Sequence, residues 1–324
     1  MTIVRRIVER FWFAPAPAER TAVLRILIGG YALFLLLNRY GMYSRVAAGH
    51  SDLFEPVGVA RMLDGPLDPA FFESIMAGTI IANVLFLLGL RFLLTGPLFA
   101  GLFLWTMCYR NSWSMIYHVD NLLVLHIIVL GLSASANALS LDALLARRHR
   151  RAGWGAWPAL ATGSDWRYGW PVRLICTLTV LAYFLAGFAK VSGELGWSWA
   201  SGEAMRSQLV RDGLRKELLG DGAPRLVFAL YDHPAILTAV AVGTLILELG
   251  APLVLLKQRL GWLWAPAAWV MHWSIFFIMD IKFRYQLSGI AFASFFAVER
   301  LASLARTLAA RRAPRTIAAA RAAP

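Results

Sequence analysis

Apolar positions gather into long runs along this chain: Ala22 to Asn38, Ser74 to Leu94, Pro97 to Tyr109, Asp120 to Ser135, Pro171 to Lys190, Ala235 to Leu256, Gly261 to Asp280 and Tyr285 to Val298. A helix needs roughly 20 mostly apolar residues to cross a hydrocarbon core of about 30 Å, and most of these runs approach that length. The third, fourth and eighth are shorter and fill out by extending into their flanks, for example through Trp113 or Leu141. The pattern predicts an all-α fold, a polytopic transmembrane helix bundle of about eight spans. Ahead of the first run, Arg5 to Trp12 alternates basic and bulky apolar residues, as a helix lying on a membrane surface does, and Pro15 and Pro17 end it.

Composition agrees with a non-aqueous solvent. The 324 residues are 59% hydrophobic and 16% charged, and the mean hydropathy is +0.59, outside the usual range of soluble domains. The formal charge of +13 does not point to nucleic acid, because the arginines stand in short blocks between apolar runs. Short cytoplasmic loops collect Lys and Arg, and the most one-sidedly basic segments are the N-terminus, Leu141 to Trp170 with its RRHRR block, Lys257 to Arg259 and the stretch after Arg300. Eight crossings put all four on one side, so both termini are expected in the cytoplasm. Three regions follow: an interfacial helix over 1–19, the transmembrane domain over 20–300, and a basic, low-complexity cytoplasmic tail over 301–324, helical at first and lying on anionic lipid.

Arg5, Arg6 and Arg10 before the run from Ala22 to Leu37 raise the question of a signal peptide. The run is long for one, and Arg45 interrupts the small-residue stretch that follows, so an uncleaved first span is expected. Cys108 and Cys176 lack metal-ligand spacing and are expected to be free thiols.

Ionisable groups in or beside apolar spans are functional candidates by default. In YRNSWSMIYHVDNLLVLH, His118, Asp120 and Asn121 fall within one helical turn, with Trp113 before them and His126 two turns on. Asp120 is also well placed as a helix N-cap. Lys190 closes the fifth run, with Trp197 and Trp199 beyond it. A lysine there either snorkels to the headgroups or, desolvated, serves as a general base. The two tryptophans form either an aromatic belt or the wall of a pocket. Glu248 in the sixth run is too deep to snorkel easily, and it acts either as an interhelical contact or as a site residue. His272 in the seventh is flanked by Trp269 and Trp273, with Asp280 and Lys282 beyond as an interfacial charge pair. No P-loop, GxGxxG, HExxH, GxSxG or paired CxxC occurs, and no metal site is expected. A haem between His118 and His126 has nothing in the sequence to select it.

Three stretches carry a resemblance: Asn111 to Leu145 (NSWSMIYHVDNLLVLHIIVLGLSASANALSLDALL), Tyr183 to Met205 (YFLAGFAKVSGELGWSWASGEAM) and Leu245 to Ile281 (LILELGAPLVLLKQRLGWLWAPAAWVMHWSIFFIMDI). In order and spacing they resemble the HTTM (horizontally transferred transmembrane) family, the membrane domain shared by vitamin K-dependent gamma-carboxylases and many bacterial homologues. The resemblance runs from about Arg20 to Arg300. It implies a multi-pass protein of the bacterial inner membrane that binds a reduced quinone, vitamin K hydroquinone or menaquinol, near its outer face. In the carboxylases a lysine deprotonates that quinol and oxygen converts it to an epoxide. The strong base so formed takes a proton from a glutamate, which adds carbon dioxide.

By that resemblance the family's lysine falls on Lys190, and its histidines and intramembrane glutamate on His118, His272 and Glu248; the expected site then has Lys190 as the base, His118 orienting it, and Asn121, Trp113, His126, Trp197, Trp199, Glu248 and His272 lining the substrate. The chain departs from the animal enzymes in having a basic tail where they carry a large lumenal region that holds the protein substrate. The alternative is non-enzymatic, a membrane partner for maturation, export or immunity of a small secreted peptide.

Overall fold

The computed structural model describes residues 3–113, 116–149 and 163–312, so part of the RRHRR block and the tail beyond 312 lie outside it. The described chain is almost entirely helical. Its strand pairing is confined to β1 (Ala16–Pro17) against β2 (Ser164–Asp165), antiparallel, and a single bridge between Phe54 and Trp113.

Five helices are long and apolar enough to cross a membrane: α2 (Ala18–Ala47), α3 (Pro69–Leu88), α4 (Phe92–Asn111), α7 (Trp166–Ser192) and α11 (Gln258–Met279), the last judged from Arg259. Their outward faces are apolar as well. Phe34, Ile81, Leu94, Phe188, Leu263 and Val270 are all exposed, a surface that suits lipid and not water. A helix, α1 (Ile3–Trp12), stands where the basic and bulky apolar residues alternate. It lies against the start of α7, where Phe13 meets Trp166 edge-on and the Arg173 guanidinium sits 5.4 Å from the Phe11 ring.

The remaining expected spans differ in form. The fourth is a 3₁₀ turn, His118–Asp120, leading into α5 (Asn121–Gly131), which is shorter than the five long helices. The sixth is α10 (Pro234–Leu249) followed by a 3₁₀ turn, and it is bent by 105° from a short preceding helix, Arg225–Tyr231. The eighth is not a continuous helix. It consists of Arg284–Leu287 and a 3₁₀ turn over Ile290–Phe295, separated at Gly289, whose φ of 76° breaks a right-handed helix. By length and composition there are five candidate spans among the described residues, or six if the bent pair counts as one. The remaining helices are α6 (Leu141–His149), α8 (Glu203–Leu218), α9 (Arg225–Tyr231), α12 (Arg284–Leu287) and α13 (Glu299–Arg312), which closes the described chain.

α3 is well delimited. Asp68 accepts hydrogen bonds from the Ala70 and Phe71 amides, Pro69 opens the first turn, and left-handed Gly89 ends it. Arg25, a charge within the first apolar run, lies beside that ending and is fully buried. Its guanidinium donates to the carbonyls of Phe86 (2.7 Å), Leu87 (2.6 Å), Leu139 (2.6 Å) and Ser135 (3.2 Å). The cation thus meets the negative end of α3 and fastens it to the segment after α5. A Cβ on Gly89 would lie 2.5 Å from Ser140 Cβ and 3.1 Å from Arg25 Nη1, so the turn is also sterically tight. Asp142, equally buried, accepts from the Arg91 and Phe92 amides and caps α4. Nearby, Arg20 at the start of α2 pairs with Glu299 at 2.6 Å, so the bundle enters and leaves at the same end.

Arg25→Met removes all four of these hydrogen bonds and is expected to destabilise the detergent-purified protein by about 3 kcal/mol or more in denaturant unfolding. Arg25→Lys recovers only part of this, because a point charge does not span four acceptors. A loss near about 0.5 kcal/mol, typical of surface changes, would contradict the assignment.

Candidate functional site

Tyr183, Gly187 and Lys190 stand at i, i+4 and i+7 on α7 and so share one face. α10 crosses that face at Gly187, where an added Cβ would lie 2.8 Å from Glu248 Cβ. The glycine permits an approach that no other residue would, and it brings the Glu248 carboxylate to Lys190. Lys190 Nζ donates to both carboxylate oxygens, at 2.9 and 2.7 Å, and more weakly to the Ala186 carbonyl at 3.3 Å. Its ammonium is 5.4 Å from the Trp199 ring centre. Glu248 is buried while Lys190 keeps a quarter of its side chain exposed. The lysine is thus turned inward to a carboxylate, not only outward to headgroups.

A second polar pair lies two turns back along α7. Tyr183 Oη and His272 Nε2, from α11, are 2.6 Å apart and both residues are buried. The other ring nitrogen, His272 Nδ1, has no hydrogen-bond partner. In an apolar interior that is costly, about 1–3 kcal/mol for an unmet polar group. Aromatic rings enclose the pair: Trp264 is 4.9 Å from Tyr183, and Phe283 is 4.9 Å from His272. Phe283 in turn faces the exposed ring of His118 at 6.2 Å. The structure therefore links His118 to His272 through Phe283, and the group bonded to Lys190 is Glu248, not His118.

Comparison of the chain with family models, with curated proteins and with solved structures finds no match in any of the three.

The other expected site residues separate from this centre. His126 is fully buried with both nitrogens engaged, Nδ1 with Tyr285 Oη at 2.8 Å and Nε2 with Thr179 Oγ1 at 3.2 Å, so it joins three helical segments and presents no free atom. Trp113 is buried against Phe54 and Tyr109 in the cluster that closes one end of α4. Asn121 opens α5 and is exposed. Trp197 is 70% exposed, whereas Trp199 faces the lysine, so only the second contributes to the centre. Asp120 occupies the N-cap position but makes no capping hydrogen bond. Asp280 and Lys282 do pair, at 3.1 Å. Cys108 and Cys176 are free, and among the described residues no group of three metal-ligand side chains occurs.

Tyr183 and Phe283 escaped the sequence reading because neither is charged in an apolar span. The signal for Tyr183 was its spacing, two turns before Lys190 on the same helix face.

Chemically, the centre offers an ammonium–carboxylate pair able to pass a proton between its members, and a phenol–imidazole pair with one nitrogen unspent. A double-mutant cycle tests the first pair. Glu248→Ala is expected to cost about 2 kcal/mol in wild-type protein and much less in a Lys190→Met background. Equal losses in both backgrounds would mean that the two side chains are not coupled.

Proposed function

We propose that this protein is a membrane-embedded enzyme acting on a reduced quinone or similar lipophilic quinol, with Lys190 as the base and Glu248 as its partner. The observation that carries the reading is the Lys190–Glu248 pair within an apolar bundle, two turns along α7 from a tyrosine bonded to a histidine with an unmet ring nitrogen. That nitrogen and the surrounding rings of Trp264 and Phe283 suit an oxygen-bearing aromatic ring, which supports the fit of a quinol. A bound quinol would supply two acidic hydroxyls and the reducing electrons, with dioxygen as the oxidant.

The residues of the chain have separate tasks in this scheme. Glu248 holds Lys190 Nζ in place and can take its proton, leaving a neutral amine able to deprotonate a hydroxyl. Tyr183, bonded to Nε2, fixes the His272 ring so that Nδ1 points to a ligand oxygen. The aromatic rings exclude water. The resemblance to the gamma-carboxylase membrane domain gives the carboxylation of a glutamate with carbon dioxide as the fullest version of this activity, and the bacterial inner membrane as its location.

The finer topology belongs to the same reading. About eight crossings, with the short α5, the broken α10 and the 283–299 segment counted beside the five long helices, put both termini in the cytoplasm and Lys190 and His118 near the outer face. The Arg20–Glu299 pair at one end of the bundle supports an even number of crossings. A second reading, a non-enzymatic partner for a secreted peptide, draws support from exposed Leu214, Leu218 and Phe228 in the segment between α7 and α10.

Lys190→Arg keeps the ion pair but cannot act as a base, because a guanidinium stays protonated. Both Lys190→Arg and Lys190→Ala are expected to abolish oxygen-dependent turnover of a reduced quinone by folded protein. Unchanged turnover in either would overturn the assignment and favour the second reading.

A further inference from the structure

Away from the Lys190 centre, three arginines converge with too little negative charge to match them. Tyr31, Leu35, Arg39 and Tyr43 recur every four residues on α2 and so form one face. Arg110, at the end of α4, is buried, stacks 3.3 Å from the centre of the Tyr117 ring and lies 5.9 Å from that of Tyr43. Arg284 adjoins Tyr285, whose ring is 5.1 Å from Tyr31. The turn carrying Asp120 packs on the short helix that begins at Arg284.

All three guanidinium groups act electrostatically on Asp120, the one carboxylate among them. Yet among the described residues none of Arg39, Arg110, Arg284 and Asp120 forms an ion pair. Arg110 makes one hydrogen bond, to Asn111 Oδ1 at 2.7 Å, and Arg39 only approaches Met42 Sδ. A buried guanidinium with five N–H donors and no direct ion pair is expensive in an apolar protein.

An independent observation points the same way. Tyr31 is more than nine-tenths buried, its hydroxyl has no hydrogen-bond partner, and it lies within the field of Arg39, Arg284 and Asp120. A phenolic hydroxyl without a partner beside guanidinium groups without ion pairs makes a donor set suited to an oxyanion. Guanidinium forks match the paired oxygens of phosphate and carboxylate groups, and a phenol adds a further donor.

We infer that Arg39, Arg110, Arg284 and Tyr31 form a binding site for an oxyanion, a phosphate or carboxylate group, held either by a free solute or by a lipid headgroup. Asp120 opposes the ligand, which gives the site an adjustable strength. The site shares no side chain with the Lys190–Glu248 and Tyr183–His272 pairs, so its existence does not depend on their chemistry.

The test uses the full chain in detergent. Sodium phosphate and sodium acetate are titrated against chloride at equal ionic strength, with melting temperature and calorimetry as readouts. Phosphatidylglycerol and phosphatidylcholine nanodiscs are compared by native mass spectrometry. A saturable rise with phosphate or acetate beyond that with chloride supports a free-solute ligand. Retention of phosphatidylglycerol but not phosphatidylcholine supports a headgroup. In either case Arg284→Gln and Tyr31→Phe weaken binding, the arginine change by about tenfold or more, while Asp120→Asn strengthens it several-fold. Arg284 is exposed, so its replacement leaves the fold intact. No response beyond chloride in any arm would overturn the inference. So would weaker binding in Asp120→Asn, which would make Asp120 the counter-ion of the arginines.

Discussion

A charge inside an apolar bundle must find its partner within the protein, since hydrocarbon offers none, and the arrangement of these helices follows from that requirement. Arg25 meets it most completely. Its bonds to Phe86, Leu87, Ser135 and Leu139 join the first long helix to the end of α3 and to the chain after α5. Asp142 then caps α4 across the same turn. These contacts set the relative heights of α2, α3, α4 and α5, and with them the level at which His126 meets Thr179 of α7. The position of α7 in turn decides where Tyr183 and Lys190 can be met.

The same requirement operates differently at the candidate centre. Arg25 is satisfied by fixed backbone carbonyls, which makes it a clamp. Lys190 is satisfied by a titratable carboxylate and keeps part of its surface open, while His272 retains an unmet nitrogen. Groups that are fully bonded hold a structure together, and groups left partly unspent are available to a ligand. By that criterion His126 belongs to the framework, and Lys190, Glu248, Tyr183 and His272 belong to the site.

Much of the architecture was legible in the sequence because hydropathy over some 20 residues is a coarse and robust signal. The runs containing α2, α3, α4, α7 and α11 were all visible, as was the separate helix α1 before them. The runs containing α10 and Arg284–Phe295 were visible as apolar, but not as broken, because Gly250 and Gly289 interrupt helices without lowering hydropathy. Arg25 was missed for the opposite reason: one arginine scarcely changes a strongly apolar average, and its carbonyl partners carry no side-chain signature. Lys190, Glu248 and His272 stood out as charges at membrane depth, and the structure joins the first two directly. Their pairing was hidden because 58 residues separate them and the crossing depends on Gly187.

On the proposed function, a quinol binds beside Lys190 and His272. The most direct measurement is mass spectrometry of the lipid extracted from purified protein, before and after incubation with menaquinol. Wild-type protein is expected to retain quinone in near-stoichiometric amount, and His272→Leu is expected to lose it while remaining folded. Wild-type protein that neither carries a quinone nor takes one up, or a His272→Leu variant that retains it fully, would contradict the account.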